Sequence, residues 1–262
     1  MTKREVVLVR IFACLVGLVI SVTSTAVVAQ SKTMVLATGD SYTRRTPCQS
    51  TNYEYCDMNY QLLHDQSYAT YLNPATFYRV TTGDNSGRGG ETCTTQEAFS
   101  SGPWTGQARG LLAQVNDRVV RRAEGVVSVL IGINDVNAYG VSLPELGNCL
   151  LSLYEAMSAK KIIALTYPPV SNTTRVWAPM GGGLAEQNRV RVNQTIRTAV
   201  TYYNSRHSEK IRLVDLATVW PDPGAYTVDG AHPNAQGAIL MAKRWLQDVC
   251  GGTSFIPNCY LH

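Results

Sequence analysis

The segment Gly125-Val-Val-Ser-Val-Leu-Ile131 is apolar at all but one inner position, rich in β-branched residues, and bounded by Gly125 and Gly132. A strand sends successive side chains to opposite faces, so a run with no polar side has to be covered on both. That points to a parallel sheet with helices on each face. The rest of the chain fits the same scheme. Strands are expected at 33–38, 76–82, 161–166 and 211–215 besides 125–131. Helices are expected at 58–72, 104–115, 143–159, 183–204 and 235–249. Ser142 offers a cap to the third of these, with Pro144 just inside it. At 262 residues and 45% hydrophobic content the chain can build one domain with a sizeable core.

The N-terminus follows a different rule. Lys3, Arg4 and Arg10 form a basic start, Ile11 to Ile20 is an apolar run, and Val27-Val28-Ala29 gives a small-x-small site. This is the pattern of a secretory signal peptide over residues 1–29, cleaved after Ala29 to leave residues 30–262 as the working domain, secreted or periplasmic. The apolar run is shorter than the roughly 20 residues a spanning helix needs, which argues against a stable membrane anchor. Removing residues 1–29 leaves 20 basic and 18 acidic residues, a net charge of +2. Such a balance makes no electrostatic case for binding nucleic acid or an anionic membrane. Six cysteines remain, Cys48, Cys56, Cys93, Cys149, Cys250 and Cys259. An even number in an exported chain suggests disulfides. Proximity favours Cys48–Cys56 and Cys250–Cys259, leaving Cys93–Cys149. A metal site is disfavoured, since there is no C-x-x-C pair and no His at ligand spacing from a Cys.

In sheets of this kind ligands bind at the carboxyl ends of the strands, and four polar, glycine-containing clusters fall there. Gly39-Asp40-Ser41-Tyr42 puts a serine on a tight turn, with its own N–H beside its hydroxyl. It also reads as an ordinary turn. Asn85-Ser-Gly87-Arg-Gly-Gly90-Glu91-Thr92 is a glycine-dense turn able to bring backbone N–H groups to a substrate; taken alone it is better read as a flexible loop. Gly132-Ile133-Asn134-Asp135 supplies an amide donor in Asn134, or a pair of helix-capping residues. Asp229-Gly-Ala-His232-Pro233 lets a carboxylate orient an imidazole whose other nitrogen faces Ser41. His64, His207 and His262 have no acid partner at a strand end and read as surface or core residues. The four clusters in one order carry far more weight than any one alone. The stretch Ser171 to Gly183, with Trp177 and three glycines, reads equally as a lid or a plain connection.

These clusters resemble the four sequence blocks of the SGNH hydrolases, the GDSL esterases and lipases. Gly39-Asp40-Ser41 matches the first block, Asn85-x-Gly87-x-x-Gly90-Glu91-Thr92 the second, Gly132-x-Asn134-Asp135 the third, and Asp229-x-x-His232-Pro233 the last. The likeness runs from Val35 to about Leu246. In the second block Glu91 stands where the family often has Asp, and Gly87 and Gly89 compete with Gly90 for its glycine. Tyr42 after the serine, together with six cysteines, is similar to secreted bacterial members. The resemblance implies a three-layer α/β/α sandwich, flavodoxin-like, with a five-stranded parallel sheet. It implies Ser41 as nucleophile, His232 as general base and acid, and Asp229 as its orienter. The oxyanion donors would be the N–H of Ser41, the N–H of Gly90 and the side chain of Asn134. No metal or organic cofactor is required.

The expected activity is hydrolysis of a small-molecule, lipid or acylated-glycan ester, by a chain that is monomeric by default. Removal of acetyl groups from polysaccharide is the nearest alternative, with Tyr53, Tyr55, Tyr60, Trp104 and Trp177 as candidate sugar-stacking residues that also read as core or rim. Transfer of the acyl group to an alcohol uses the same machinery. A non-catalytic binding module is disfavoured by the full set of catalytic residue types. Asn172-Thr-Thr and Asn193-Gln-Thr are glycosylation sequons, meaningful only on a eukaryotic secretory route.

Overall fold

Five parallel strands form the sheet: β1 Thr33–Gly39, β2 Val80–Asn85, β3 Val126–Leu130, β4 Lys161–Leu165 and β5 Arg212–Val214, in the spatial order β2-β1-β3-β4-β5. This is the flavodoxin-like order, and it places its switch point between β1 and β3. The computed structural model describes residues 33–43, 80–85, 87–98, 100, 105–174, 176–177, 184–208, 211–251 and 255–256. The expected signal segment, the 58–72 helix, Trp104, and the pairings that involve Cys48, Cys56 and Cys259 lie outside them.

Among the described residues the α-helices are α1 Ile133–Tyr139, α2 Leu143–Ala156, α3 Ala185–Arg206, the single turn α4 Pro223–Tyr226, and α5 Ala235–Cys250. β3 is buried at every position, as its composition requires. Its one polar residue is accounted for: Ser128 Oγ accepts a bond from Trp245 Nε1 of α5 at 3.1 Å, so a buried hydroxyl and a buried indole satisfy each other. α2 begins where the sequence indicates, with Ser142 Oγ accepting from the Glu145 N–H, and it buries Leu146, Cys149, Leu150, Leu153 and Tyr154 at helical spacing. α2 packs on α3, which buries Val192, Ile196, Ala199, Val200 and Tyr203 along one stripe. β3, β4 and β5 step in one direction across the sheet. Right-handed crossovers therefore put α2 and α3 on the same face.

The helix expected at 104–115 does not form. Residues 105–111 are turn and irregular backbone, followed by a 3-10 turn at Leu112–Gln114 and a π-helical turn at Asn116–Val120. Gly110 sits at φ 113°, and a Cβ there would lie 2.8 Å from the Thr95 backbone. The apolar spacing of Leu111 and Val115 does reflect burial, but the close approach to Thr95 holds the chain out of a helix until Leu112.

Candidate active site

The turn after β1 is built around one glycine. Gly39 has φ 138°, and a Cβ on it would stand 2.0 Å from the Leu130 carbonyl oxygen of the neighbouring strand. Only glycine allows β1 and β3 to meet there. Asp40 then closes the turn: its Oδ1 accepts from the Tyr42 N–H at 3.0 Å, and its own N–H bonds Leu130 O. Ser41 is left half-buried at the carboxyl end of the sheet.

Ser41 Oγ lies 2.8 Å from His232 Nε2, and His232 Nδ1 lies 2.8 Å from Asp229 Oδ2. A carboxylate only accepts, so Nδ1 carries a proton and Nε2 accepts from the serine hydroxyl. The other carboxylate oxygen accepts from the N–H groups of Ala231 and His232. Burial alone would raise the Asp229 pKa; its bonds from His232 and from these N–H groups outweigh burial and hold it below its ordinary value. His232 is buried, with its ring 5.5 Å from that of Tyr42. Tyr42 in turn donates to Ala231 O, tying the serine turn to the histidine turn.

Asn134 sits in the first turn of α1. Its Oδ1 accepts from Trp177 Nε1 at 3.1 Å, and its Nδ2 donates to Glu91 O at 3.0 Å. An indole nitrogen is donor only, so the amide orientation is decided by chemistry. Nδ2 keeps a second hydrogen. Asp135, next along, accepts from the Cys93 and Thr94 N–H groups at 2.8 and 2.9 Å, and so anchors the loop that carries Gly90. The Cys93–Cys149 disulfide ties the same loop to α2, which is the pairing left over by proximity. Glu91 is fully buried: it accepts from the Gly110 N–H at 2.8 Å and pairs with Arg118. Its extra methylene over Asp is what spans to both.

Ser41, Gly89, Gly90, Asn134, Trp177 and His232 line one cavity of about 360 Å³. Gly87 is buried and does not line it, which narrows the choice of backbone donor to Gly89 or Gly90. A second cavity of about 400 Å³ lies between α2 and α3 and contains no His–acid pair. The described part of the 171–183 stretch is a fixed wall: Ser171 N–H bonds Gly230 O, Thr174 Oγ1 bonds Asp229 O, and Trp177 holds Asn134.

Tyr167, Asn193 and Arg189, behind the site, carried no sequence signal that marks them for this role. Tyr167, after β4, is clamped by Asn193, whose amide bonds both the N–H and the C=O of Tyr167, and by Arg189. Asn193 is therefore committed inside the fold. The Tyr167 hydroxyl reaches Asp40 and the Ile133 N–H. Asp40 is fully buried, and burial pushes its carboxyl up to about 7 against the bonds from Tyr167 and Tyr42.

A doubly covered parallel sheet with a Ser–His–Asp array at its carboxyl edge defines an α/β protein of serine-hydrolase type. The chain belongs to the GDSL-like Lipase/Acylhydrolase family, whose model matches residues 37–239 and so spans Ser41 through His232. It is 29% identical over 155 residues to a multidomain esterase of Ruminococcus flavefaciens, covering 57% of this chain but only 19% of that protein. Two solved structures share the fold. An acetylxylan esterase from Geobacillus stearothermophilus gives a TM-score of 0.55 at 20% identity, over 83% of this chain and 94% of its own. A lipase/acylhydrolase from Enterococcus faecalis gives 0.58 at 16% identity, over 82% and 94%.

Proposed function

We propose that the chain hydrolyses carboxylic esters through an acyl-enzyme on Ser41. The observation that carries this is the continuous array Ser41 Oγ–His232 Nε2 and His232 Nδ1–Asp229 Oδ2, each link 2.8 Å. His232 takes the serine proton as Oγ attacks the ester carbonyl, then gives it to the leaving alcohol. A water activated by the same imidazole releases the acid. Asp229 keeps the imidazole in the required tautomer and stabilises the imidazolium. The developing oxyanion is received by the N–H of Ser41, the N–H of Gly90 and the free hydrogen of Asn134 Nδ2. Purified chain should cleave a short p-nitrophenyl ester and lose that activity in Ser41→Ala. Wild-type rates in that variant would sink the assignment.

An acylated glycan is the substrate class best supported. The small cavity, walled by Tyr139 and Trp177, suits a short acyl group, and the fold neighbour named above is an acetylxylan esterase. Release of acetate from acetylated xylan, measured against a medium-chain ester, tests it. The basic and apolar start of the chain and the Cys93–Cys149 disulfide support export, with residues 1–29 removed and residues 30–262 working as a monomeric secreted or periplasmic domain.

A further inference from the structure

The wall of the catalytic cavity has two ends, and the chain itself orders them. Val176 belongs to the His232 end: the Ser171 N–H bonds Gly230 O and Thr174 Oγ1 bonds Asp229 O, so this segment rests on the histidine turn. Trp177 follows, and its Nε1 meets Asn134 Oδ1 at 3.1 Å. From Asn134 the wall continues along α1. Ala138 lies four residues on, on the same helix face and about 6 Å further along the axis. Tyr139, the last residue of α1, lines the cavity beside it.

That second end is held in place. Gly140 closes α1 at φ 64°, and its N–H and that of Val141 both bond Asp135 O. The Asp135 carboxylate is tied to the Cys93 and Thr94 N–H groups. The Arg109 guanidinium stands over the Tyr139 ring, its carbon 5.4 Å from the ring centre, and a cation so placed resists displacement of the ring. The backbone beneath it is fastened in turn: Arg109 bridges Gln96, and the Gly110 N–H bonds Glu91 Oε1 at 2.8 Å.

The chemistry then orients an ester along this wall. The leaving alcohol oxygen takes its proton from His232 Nε2, so the alcohol part lies at the His232 end. The carbonyl oxygen faces the donors of Ser41, Gly90 and Asn134. The acyl group takes the direction that remains, away from His232 and toward Ala138 and Tyr139. We infer that Tyr139 sets the acyl length this cavity accepts: Ala138 leaves room for a short acyl group, and the fixed Tyr139 ring stops a longer one. The alcohol part lies against Val176 and does not meet that ring. This rests on the reading of Ser41 as the nucleophile.

The test varies the two halves of the ester separately. The acyl series is 4-nitrophenyl acetate, butanoate and hexanoate; the alcohol pair is 1-naphthyl acetate against 4-nitrophenyl acetate. Wild type should favour acetate over hexanoate by about tenfold or more in kcat/KM, the scale on which an apolar pocket discriminates by chain length. Tyr139→Ala should raise the hexanoate-to-acetate ratio by about tenfold, and Ala138→Val should lower the butanoate-to-acetate ratio severalfold. The 1-naphthyl to 4-nitrophenyl ratio should stay constant in both. Should Tyr139→Ala not fold, Tyr139→Leu makes the same comparison with an apolar side chain that still covers the helix end. Wild type cleaving hexanoate as well as acetate overturns the proposal. So do Tyr139 variants that slow every ester in proportion, or that move the alcohol ratio instead. Loss of all cleavage in Ser41→Ala reports on the nucleophile separately, so the two readings fail in different ways.

Discussion

Tyr167 donates its hydroxyl to Asp40 Oδ2 across 2.5 Å, joining the end of β4 to the serine turn 127 residues earlier. The same oxygen accepts from the Ile133 N–H at 3.2 Å, at the start of the helix that carries Asn134. One hydroxyl thus links the turn of Ser41 to its oxyanion donor.

Tyr167→Phe keeps the ring and removes both bonds. Turnover should fall roughly tenfold with KM little changed, because the loss is in transition-state alignment. In an Asn134→Ala background the same change should have much less effect, since Tyr167 acts through that donor. Steady-state kinetics of the four-member cycle reads this out. Multiplicative effects that follow melting temperature would show a purely structural role.

Asn134→Ala should slow kcat about a hundredfold or more, the usual loss for one oxyanion donor. Trp177→Phe leaves the donor but frees its orientation, so a smaller loss in kcat is expected. Comparing the two on one short ester orders them, and equal losses would contradict the separate roles.

Asp40 makes a pH prediction of definite sign. Its pKa rises from an ordinary 3.8 to about 7 on folding. Between those values the folded chain holds a proton that the unfolded chain has lost, so this group's contribution to stability falls as pH rises from about 4 to 7 and is flat above. The three-unit shift corresponds to on the order of 4 kcal/mol. Relative to Asp40→Asn, wild type should lose stability across that window in urea denaturation. A constant difference would refute it.

The Cys93–Cys149 bond closes a 56-residue separation, worth about 4 kcal/mol in loop entropy. It also steadies the loop that Asp135 anchors beside Gly90. Reduction, or the double change to Ser, should lower the melting temperature and kcat together, measured by calorimetry and ester hydrolysis.

Much of the fold was legible because burial writes itself into composition. β3 has no wet face, and its residues say so. α2 carries its own cap in Ser142 and its own stripe. The absent helix at 104–115 shows the limit. Leu111 and Val115 keep a helical spacing, but the contact of Gly110 with Thr95 involves a residue fifteen positions away. Periodicity reports which positions are buried; it does not report what the backbone meets.

The site divides in the same way. Ser41, Asn134, Asp229 and His232 were readable because each chemistry needs a particular residue type on a tight turn, and such turns are local. Glycine at position 39 belongs to this set in identity but not in reason, which is the Leu130 carbonyl 2.0 Å from where a Cβ would be. Tyr167, Glu91 and Trp177 were not readable in these roles. Their chains are a tyrosine, a glutamate and a tryptophan like any others until the sheet order β2-β1-β3-β4-β5 sets β1 beside β3 and brings β4 within reach of both turns. The sequence by itself determined which side chains carry the proposed chemistry. Tertiary structure alone decided their distances and the raised pKa of the buried Asp40, because these depend on contacts between segments far apart in the chain.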